Sequence, residues 1–338
     1  MSSDDSCGSV TNEVDFFGLR VASLFIIMAT SLMGSLFPVL SRRTKLFTVP
    51  PLLYDFAKYF GSGVIIATAF IHLLDPAIGA LSSPCLTGTW QQYPWALAFS
   101  MASVFSIFFL ELGAFRWGSS KLAKLGIKAH DPHGHDLPEN TTHAAHGPES
   151  ESASKTLSFE EPERGLQAGE RGVLDTATAQ ILGIAILEFG VVFHSVLIGL
   201  TLAVDPDFKV LFIVLIFHQM FEGLGLGSRL AFMDLPPAYN WVPIMGAALY
   251  GFTTPIGIAA GLGIRTTYNP NSTTASIVSG TFDAISSGIL LYTGLVELLA
   301  HEFLFNPAMH QTSNKKLVFA SLSMLSGSGI MALLGRWA

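Results

Sequence analysis

Two histidines and a glutamate carry the most distinctive chemistry in this sequence. His218 and Glu222 stand four residues apart in KVLFIVLIFHQMFEGLGLGSRL, a spacing that projects both from one face of a helix. His194 sits in the preceding apolar stretch, LEFGVVFHSVLIGLTLAV, and only the turn Asp205-Pro206-Asp207-Phe208 intervenes. So short a connection makes the two helices antiparallel neighbours, with residues equally far from the turn at equal depth. His194 lies about twelve residues before the turn centre and His218 about twelve after it, roughly 18 Å along each helix. Two imidazoles and a carboxylate form a suitable ligand set for Zn2+ or a similar divalent cation. Ser195 and Gln219 offer weak oxygen ligands, or partners that orient the set. One carboxylate leaves such an ion incompletely neutralised. Thiolate-rich structural sites, by contrast, hold zinc by roughly 10–16 kcal/mol, so the set here suits an ion that comes and goes. The plain alternatives are an interhelical hydrogen bond for the histidines and a protonated core residue for Glu222.

The elements that position these groups follow from composition. Charged residues make up 13% of the 338 and apolar ones 50%, with a mean hydropathy of +0.50. A soluble protein carries about 25% charge, so this chain cannot cover a water-facing surface. A net charge of −7 with 18 Lys and Arg gives no basic footprint for nucleic acid, and two cysteines exclude a disulfide scaffold. An integral membrane protein remains. Apolar runs of about 20 residues occur at 17–40, 53–77, 93–117, 174–204, 209–232, 242–264, 276–299 and 315–337. They are too long for barrel strands and do not alternate with period two. The expected fold is therefore all-α, eight transmembrane helices in a bundle. Residues 1–118 hold an acidic segment and the first three spans, 119–173 a flexible loop, and 174–338 the last five spans, with the His/Glu hairpin at 174–232. The acidic head (Asp4, Asp5, Glu13, Asp15) lacks the basic start of a cleaved leader, so the first run is expected to be a true span.

Lys and Arg concentrate in alternate connections: Arg42, Arg43 and Lys45, then seven between Arg116 and Arg171, then Arg229, then Lys315 and Lys316. The opposite set holds only Arg20, Lys209, Arg265 and Arg336. The positive-inside rule then puts both termini outside the cytosol and 119–173 within it. On that arrangement Cys7 and Cys85 both fall outside, where a disulfide persists. The sequon Asn271-Ser272-Thr273 also falls outside, while the one at Asn140 is inside and unused. Free thiols and chance sequons are the alternative.

Further ionisable groups lie within the runs, where they are costly and usually face a pathway or one another. Thr68, His72 and Asp75 share a face of the second, the latter two expected near its outer end. Asp283, Ser287, Gly294 and Glu297 form a stripe on the seventh; Glu188 precedes Ser195 by one heptad, and Glu111 lies low in the third. They line access and exit, or glue helices together. Gly190, Gly199, Gly223, Gly225 and Gly227 permit close helix approach or sliding. The tract HDPHGHD…HAAH carries His130, His133, His135, His143 and His146, a composition that binds metal loosely, or belongs to a solvated linker.

At FHSVLIGLTL (193–202), FHQMFEGLGLG (217–227), AFIHLLDPA (69–77) and FDAISSGILLYTGLVELLAHEF (282–303) the chain resembles the ZIP (Zrt/Irt-like) divalent metal transporters, above all their fungal and plant branch. Eight spans, outward termini and a His-rich loop after the third fit that resemblance over essentially the whole chain. It implies import of Zn2+ into the cytosol across the plasma membrane, with Fe2+, Mn2+ and Cd2+ as further candidates. It also implies alternating access, with a bundle containing spans four and five moving against the rest, and a homodimer as the common assembly. The resemblance carries the transport ligands onto His194, His218 and Glu222, and second-site positions onto Ser195 and Gln219. Some members have a carboxylate four residues after the fourth-span histidine; Ile198 stands there, which leaves one principal site. Zinc is then cargo, and no resident cofactor is expected.

Energetics suit import, since a divalent cation entering an inside-negative cell gains about 4.6 kcal/mol per 100 mV. No GxxxxGK[ST] loop is present, so no nucleotide partner is expected. The competing class is an intramembrane zinc-dependent hydrolase with a metal-bound water, but the sequence has no HExxH. A metal sensor without transport has only the loop in its favour.

Overall fold

Within a bilayer the backbone of a long apolar run must satisfy its own hydrogen bonds, and a helix does so locally. A computed structural model describes residues 15–44, 49–124, 162–233, 235–265 and 272–337, and among them there is no strand. Eight of its helices are long and apolar enough to cross a membrane. They are α1 (Phe17–Arg43), α2 (Pro51–Leu81), α3 (Trp95–Lys124), α4 (Pro162–Val204), α5 (Phe208–Ala231), α6 (Val242–Ile264), α7 (Thr273–Phe305) and α8 (Asn314–Leu334). Local signals set several starts. Pro51 occupies the first turn of α2, where its missing N–H costs nothing. The Ser272 and Ser313 side chains accept from Ala275 N and Lys316 N and cap α7 and α8.

Two of the spans that outrun their apolar runs do so through a π-helical stretch. α2 reaches 31 residues and α7 reaches 33, against the expected 53–77 and 276–299. Each carries a π-helical stretch, Thr68–Leu74 in α2 and Thr293–Phe305 in α7. The polar residues there, among them His72, Asp75, His301 and Glu302, shorten the apolar window without stopping the helix. The stretch 119–173 differs too, since α3 continues to Lys124 and α4 begins at Pro162. Pro162 suits a first helical position, and Glu163, Leu166, Gln167 and Ala168 are good helix formers, so propensity extends a helix where amphipathic periodicity is absent. Residues 125–161, with His130, His133, His135, His143, His146 and Asn140, lie outside the described residues, as do Cys7 and Asn271. Cys85 is disulfide-bonded.

The helices pack in two groups. α1, α4, α5 and α6 form one, with α1 against α5 and α6 and α4 against α6; α2, α3, α7 and α8 form the other. The groups meet where α2 crosses α5 and α4 crosses α7. The hairpin arms α4 and α5 touch each other sparingly, because each packs mainly on a different neighbour. Arg20 pins the start of α1 to the hairpin turn. It is 2% exposed, donates to the carbonyls of Leu202 (2.9 Å) and Asp205 (2.7 Å), and lies 4.4 Å over the Phe208 ring. One apolar cluster, with Ile27, Leu202, Phe208, Leu211 and Leu215, fills the turn end; a second, with Leu187, Val191, Leu226 and Leu230, fills the other.

The crossing of α2 and α5 depends on two glycines. A Cβ on Gly61 would collide with Gly225 Cα, and one on Gly225 would sit 3.0 Å from Gly61 Cα. Both obstacles are backbone and cannot swing away. Gly61→Val is expected to destabilise the protein by about 1–3 kcal/mol through overpacking, read as a lowered unfolding midpoint in detergent. Gly79→Val, whose Cβ meets nothing within 4 Å, is the matched control and is expected to cost no stability, since glycine is the poorer helix former.

Candidate metal site

The hairpin brings its three ligand candidates together between the two apolar clusters. His194 is 3% exposed, and His218 and Glu222 are fully buried. One ligand atom from each lies within 4.8 Å of the other two. His194 Nε2 is 3.4 Å from His218 Nε2, and His218 Nε2 is 3.8 Å from Glu222 Oε2. A tetrahedral ion with Zn–N bonds of 2.0–2.1 Å holds two nitrogens about 3.3 Å apart, so the imidazoles need hardly move to share one. An interhelical hydrogen bond would use the same two atoms.

What surrounds the pair bears on that choice. Asp283 Oδ1 of α7 approaches His194 Nδ1 to 4.0 Å, on the side of the ring away from His218. A carboxylate there favours the proton on Nδ1 and leaves the Nε2 lone pair for a cation, the usual arrangement behind a ligating histidine. Several polar atoms around them are buried without a hydrogen-bond partner among the described residues: Glu222 Oε1, Ser195 Oγ, His218 Nδ1 and Gln219 Nε2. Each such atom costs about 1–3 kcal/mol when left unsatisfied, and a divalent ion with its water meets that demand for the oxygens. The donor set is hard to intermediate, nitrogen and oxygen without sulfur, and fits Zn2+.

The remaining sequence candidates separate by position. His72 joins the site, since its ring meets that of His218 edge-on with centroids 4.6 Å apart, and its Nε2 reaches Met331 O at 3.0 Å. It therefore lies at the level of His218, deeper than the second apolar run implies, because α2 is longer. Asp75 is exposed. Glu188 is 9% exposed, with Oε1 lacking a partner, and lies among the apolar residues below His194, beside Gly246. Glu297 pairs with His301 at 3.2 Å, Glu111 accepts from Tyr292, and Ser287 Oγ donates to Ala69 O. Thr68 is buried and its Oγ1 has no partner.

The sequence-profile comparison matches "ZIP Zinc transporter" over residues 17–335. The chain belongs to the ZIP zinc transporter family. It is 43% identical to Zinc-regulated transporter 1 of Saccharomyces cerevisiae, over 95% of this chain and 88% of that protein. It is 41% identical to Zinc-regulated transporter 1 of Schizosaccharomyces pombe (99% and 91% covered), and 35% identical to Zinc transporter 3 of Arabidopsis thaliana (94% and 84%). A ZIP protein is a multi-pass membrane transporter and not an enzyme, so the hydrolase alternative is set aside, and zinc enters as cargo.

Two features of this ZIP chain escape a scan for ligand spacing. Tyr250 of α6 is fully buried against Gln219 and Glu222; its one signal is a hydroxyl-bearing aromatic in the run IMGAALYGFTTP. The second is a charge cluster: Glu302 of α7 lies 2.5 Å from Lys58 of α2 and 3.8 Å from Arg229 of α5, and Arg229 also donates to Ser62. Lys58 hides in an apolar run, and Arg229 reads as a loop cation. Side-chain exposures of 12–21% put these charges largely out of water. Glu302→Ala leaves two cations without their anion and is expected to destabilise by about 3–5 kcal/mol. Lys316→Ala, which breaks the exposed Lys316–Asp55 pair, is expected to change stability by less than about 1 kcal/mol. Unfolding of both variants in one detergent checks the contrast.

Proposed function

We propose that the protein imports Zn2+ into the cytosol, and that His194, His218 and Glu222 hold the ion midway. The observation that carries this reading is the convergence of those three ligand atoms within 4.8 Å, fully enclosed, in a chain of a zinc transporter family. The zinc-regulated transporters of two yeasts, similar over nearly the whole chain, support zinc as the physiological ion. Fe2+, Mn2+ and Cd2+ are competitors for the same donors, since imidazole and carboxylate accept them all. Ser195 and Gln219 adjust the site; Ile198 supplies no second carboxylate.

The mechanism that suits a site sealed on both sides is alternating access. The group containing α4 and α5 shifts against the group containing α2 and α7, across the glycine crossing of α2 and α5. His72, Asp75 and Asp283 serve the access route, Glu188 and Glu297 the exit, and the loop histidines buffer or sense metal in the cytosol. Both termini face outward, the plasma membrane is the address, and a homodimer within the bilayer is the assembly. The inside-negative potential drives a divalent ion inward by about 4.6 kcal/mol per 100 mV, so no nucleotide is needed.

Radioactive Zn2+ uptake in cells lacking their own importers tests this. Glu222→Ala is expected to abolish saturable uptake at matched surface levels; wild-type uptake by that variant removes Glu222 from the mechanism. His194→Ala is expected to raise the half-saturating zinc concentration at least ten-fold or to stop transport. An unchanged concentration dependence contradicts a ligand role for His194.

A further inference from the structure

Tyr250 is a large side chain enclosed completely beside the site, on a helix that contributes none of the three ligands. Its hydroxyl lies 2.6 Å from Gln219 Oε1, 2.7 Å from the Gln219 main-chain carbonyl and 3.4 Å from Glu222 Oε2. A phenol has one proton to give, so three acceptors converge on a single donor. Whichever way the Gln219 amide is turned, the hydroxyl grips one of its ends: it donates to the oxygen, or accepts from the nitrogen while donating to the main chain. The other end of that amide, Nε2, has no partner among the described residues. Among the described residues, Tyr250 makes the only hydrogen bond to the Gln219 side chain, and its hydroxyl also approaches the Glu222 carboxylate.

The helix opposite is shaped to receive the ring. A Cβ on Gly223 would fall 2.9 Å from Tyr250 Cε1, so the missing side chain at 223 lets the phenol lie on α5 between Gln219 and Glu222. Thr253 closes the same turn of α6 by donating to the Tyr250 carbonyl at 2.7 Å. The ring is fixed by packing, and the hydroxyl by acceptors that belong to the site.

We propose that Tyr250 is a positioning residue that sets the metal affinity of the transport site, by holding the Glu222 carboxylate and the Gln219 amide in the geometry that receives the ion. The inference rests on the proposed transport site and deepens it. Partners of this kind typically account for 10–100-fold in metal affinity. They act on the bound state, so the effect falls on half-saturation more than on maximal rate.

The test uses Tyr250→Phe, which keeps the ring against Gly223 and removes one oxygen. In uptake assays at matched surface levels, the half-saturating Zn2+ concentration is expected to rise roughly ten-fold, with maximal rate within about two-fold. A merely structural tyrosine would lower maximal rate through lost protein and leave half-saturation alone. In a Gln219→Ala, Tyr250→Phe double variant the two shifts are expected to be less than additive. As a measurement independent of transport, the full-length protein in detergent is titrated with Zn2+ and its unfolding midpoint followed, for wild type, His218→Ala and Tyr250→Phe. Wild type and Tyr250→Phe are expected to reach the same stabilised midpoint, the variant at roughly ten-fold more zinc; His218→Ala is expected not to respond. If wild type does not respond to zinc, the site itself is wrong. If wild type responds and Tyr250→Phe matches it at every concentration, the site stands and the role of Tyr250 is overturned.

Discussion

Glu222 and His218 are removed from solvent altogether, and a carboxylate oxygen or imidazole lone pair in that position must be met by something. In water these groups are solvated without cost; inside a helical bundle each unmet one subtracts about 1–3 kcal/mol from the folded state. The protein answers only part of that demand itself. Tyr250 approaches one oxygen of Glu222, while the other is left without a partner, as is Ser195 Oγ. The bundle thus holds a deficit of positive charge and of donors at one depth, and a desolvated divalent cation is what fits it. On the proposed function, the same incompleteness keeps the ion from being trapped: one carboxylate and neutral imidazoles compensate a double charge only in part.

Everything nearby serves to keep that layer enclosed and aligned. Apolar side chains close it towards the hairpin turn, around Leu202, Phe208 and Leu215, and away from it, around Leu187, Leu226 and Leu230. Arg20 ties the turn to α1, so the hairpin is held in place from its turn end. His194 and His218 come from arms that touch sparingly, and Asp283 and His72 approach from the other helix group. The layer accordingly sits where the two groups meet. On the proposed function, a relative shift of those groups separates His72 and Asp283 from His194 and His218 and leaves the hairpin's three candidate ligands together, which is what an ion carried between two openings requires.

The eight spans and the convergence of His194, His218 and Glu222 were legible in the sequence for simple reasons. A run of twenty apolar residues has few alternatives to a membrane helix, and a four-residue turn leaves little freedom in which depths face each other. His194 and His218 could therefore be paired by counting alone. What counting missed were groups whose partners come from distant segments. His72 was placed too shallow because the polar residues of α2 cut its apolar window short, although the helix continues through a π-helical stretch to Leu81. Lys58, Arg229 and Glu302 each look unremarkable in their own run; they become a cluster only when α2, α5 and α7 are packed. Tyr250 has no spacing signature, since its acceptors lie on α5 and the glycine that admits it is 27 positions earlier. The ends of the 119–173 stretch went astray for the opposite reason: helix propensity without amphipathic pattern extends α3 and α4 where periodicity gives no sign.

The central claim is that two imidazoles and one carboxylate hold the ion, and zinc K-edge X-ray absorption on the purified, zinc-loaded protein addresses it most directly. A first shell of nitrogen and oxygen at about 2.0–2.1 Å is expected, with outer-shell scattering from two imidazole rings that falls when His218 is replaced. A shell dominated by sulfur near 2.3 Å, or one without imidazole scattering, would contradict it, as would a protein that takes up no zinc.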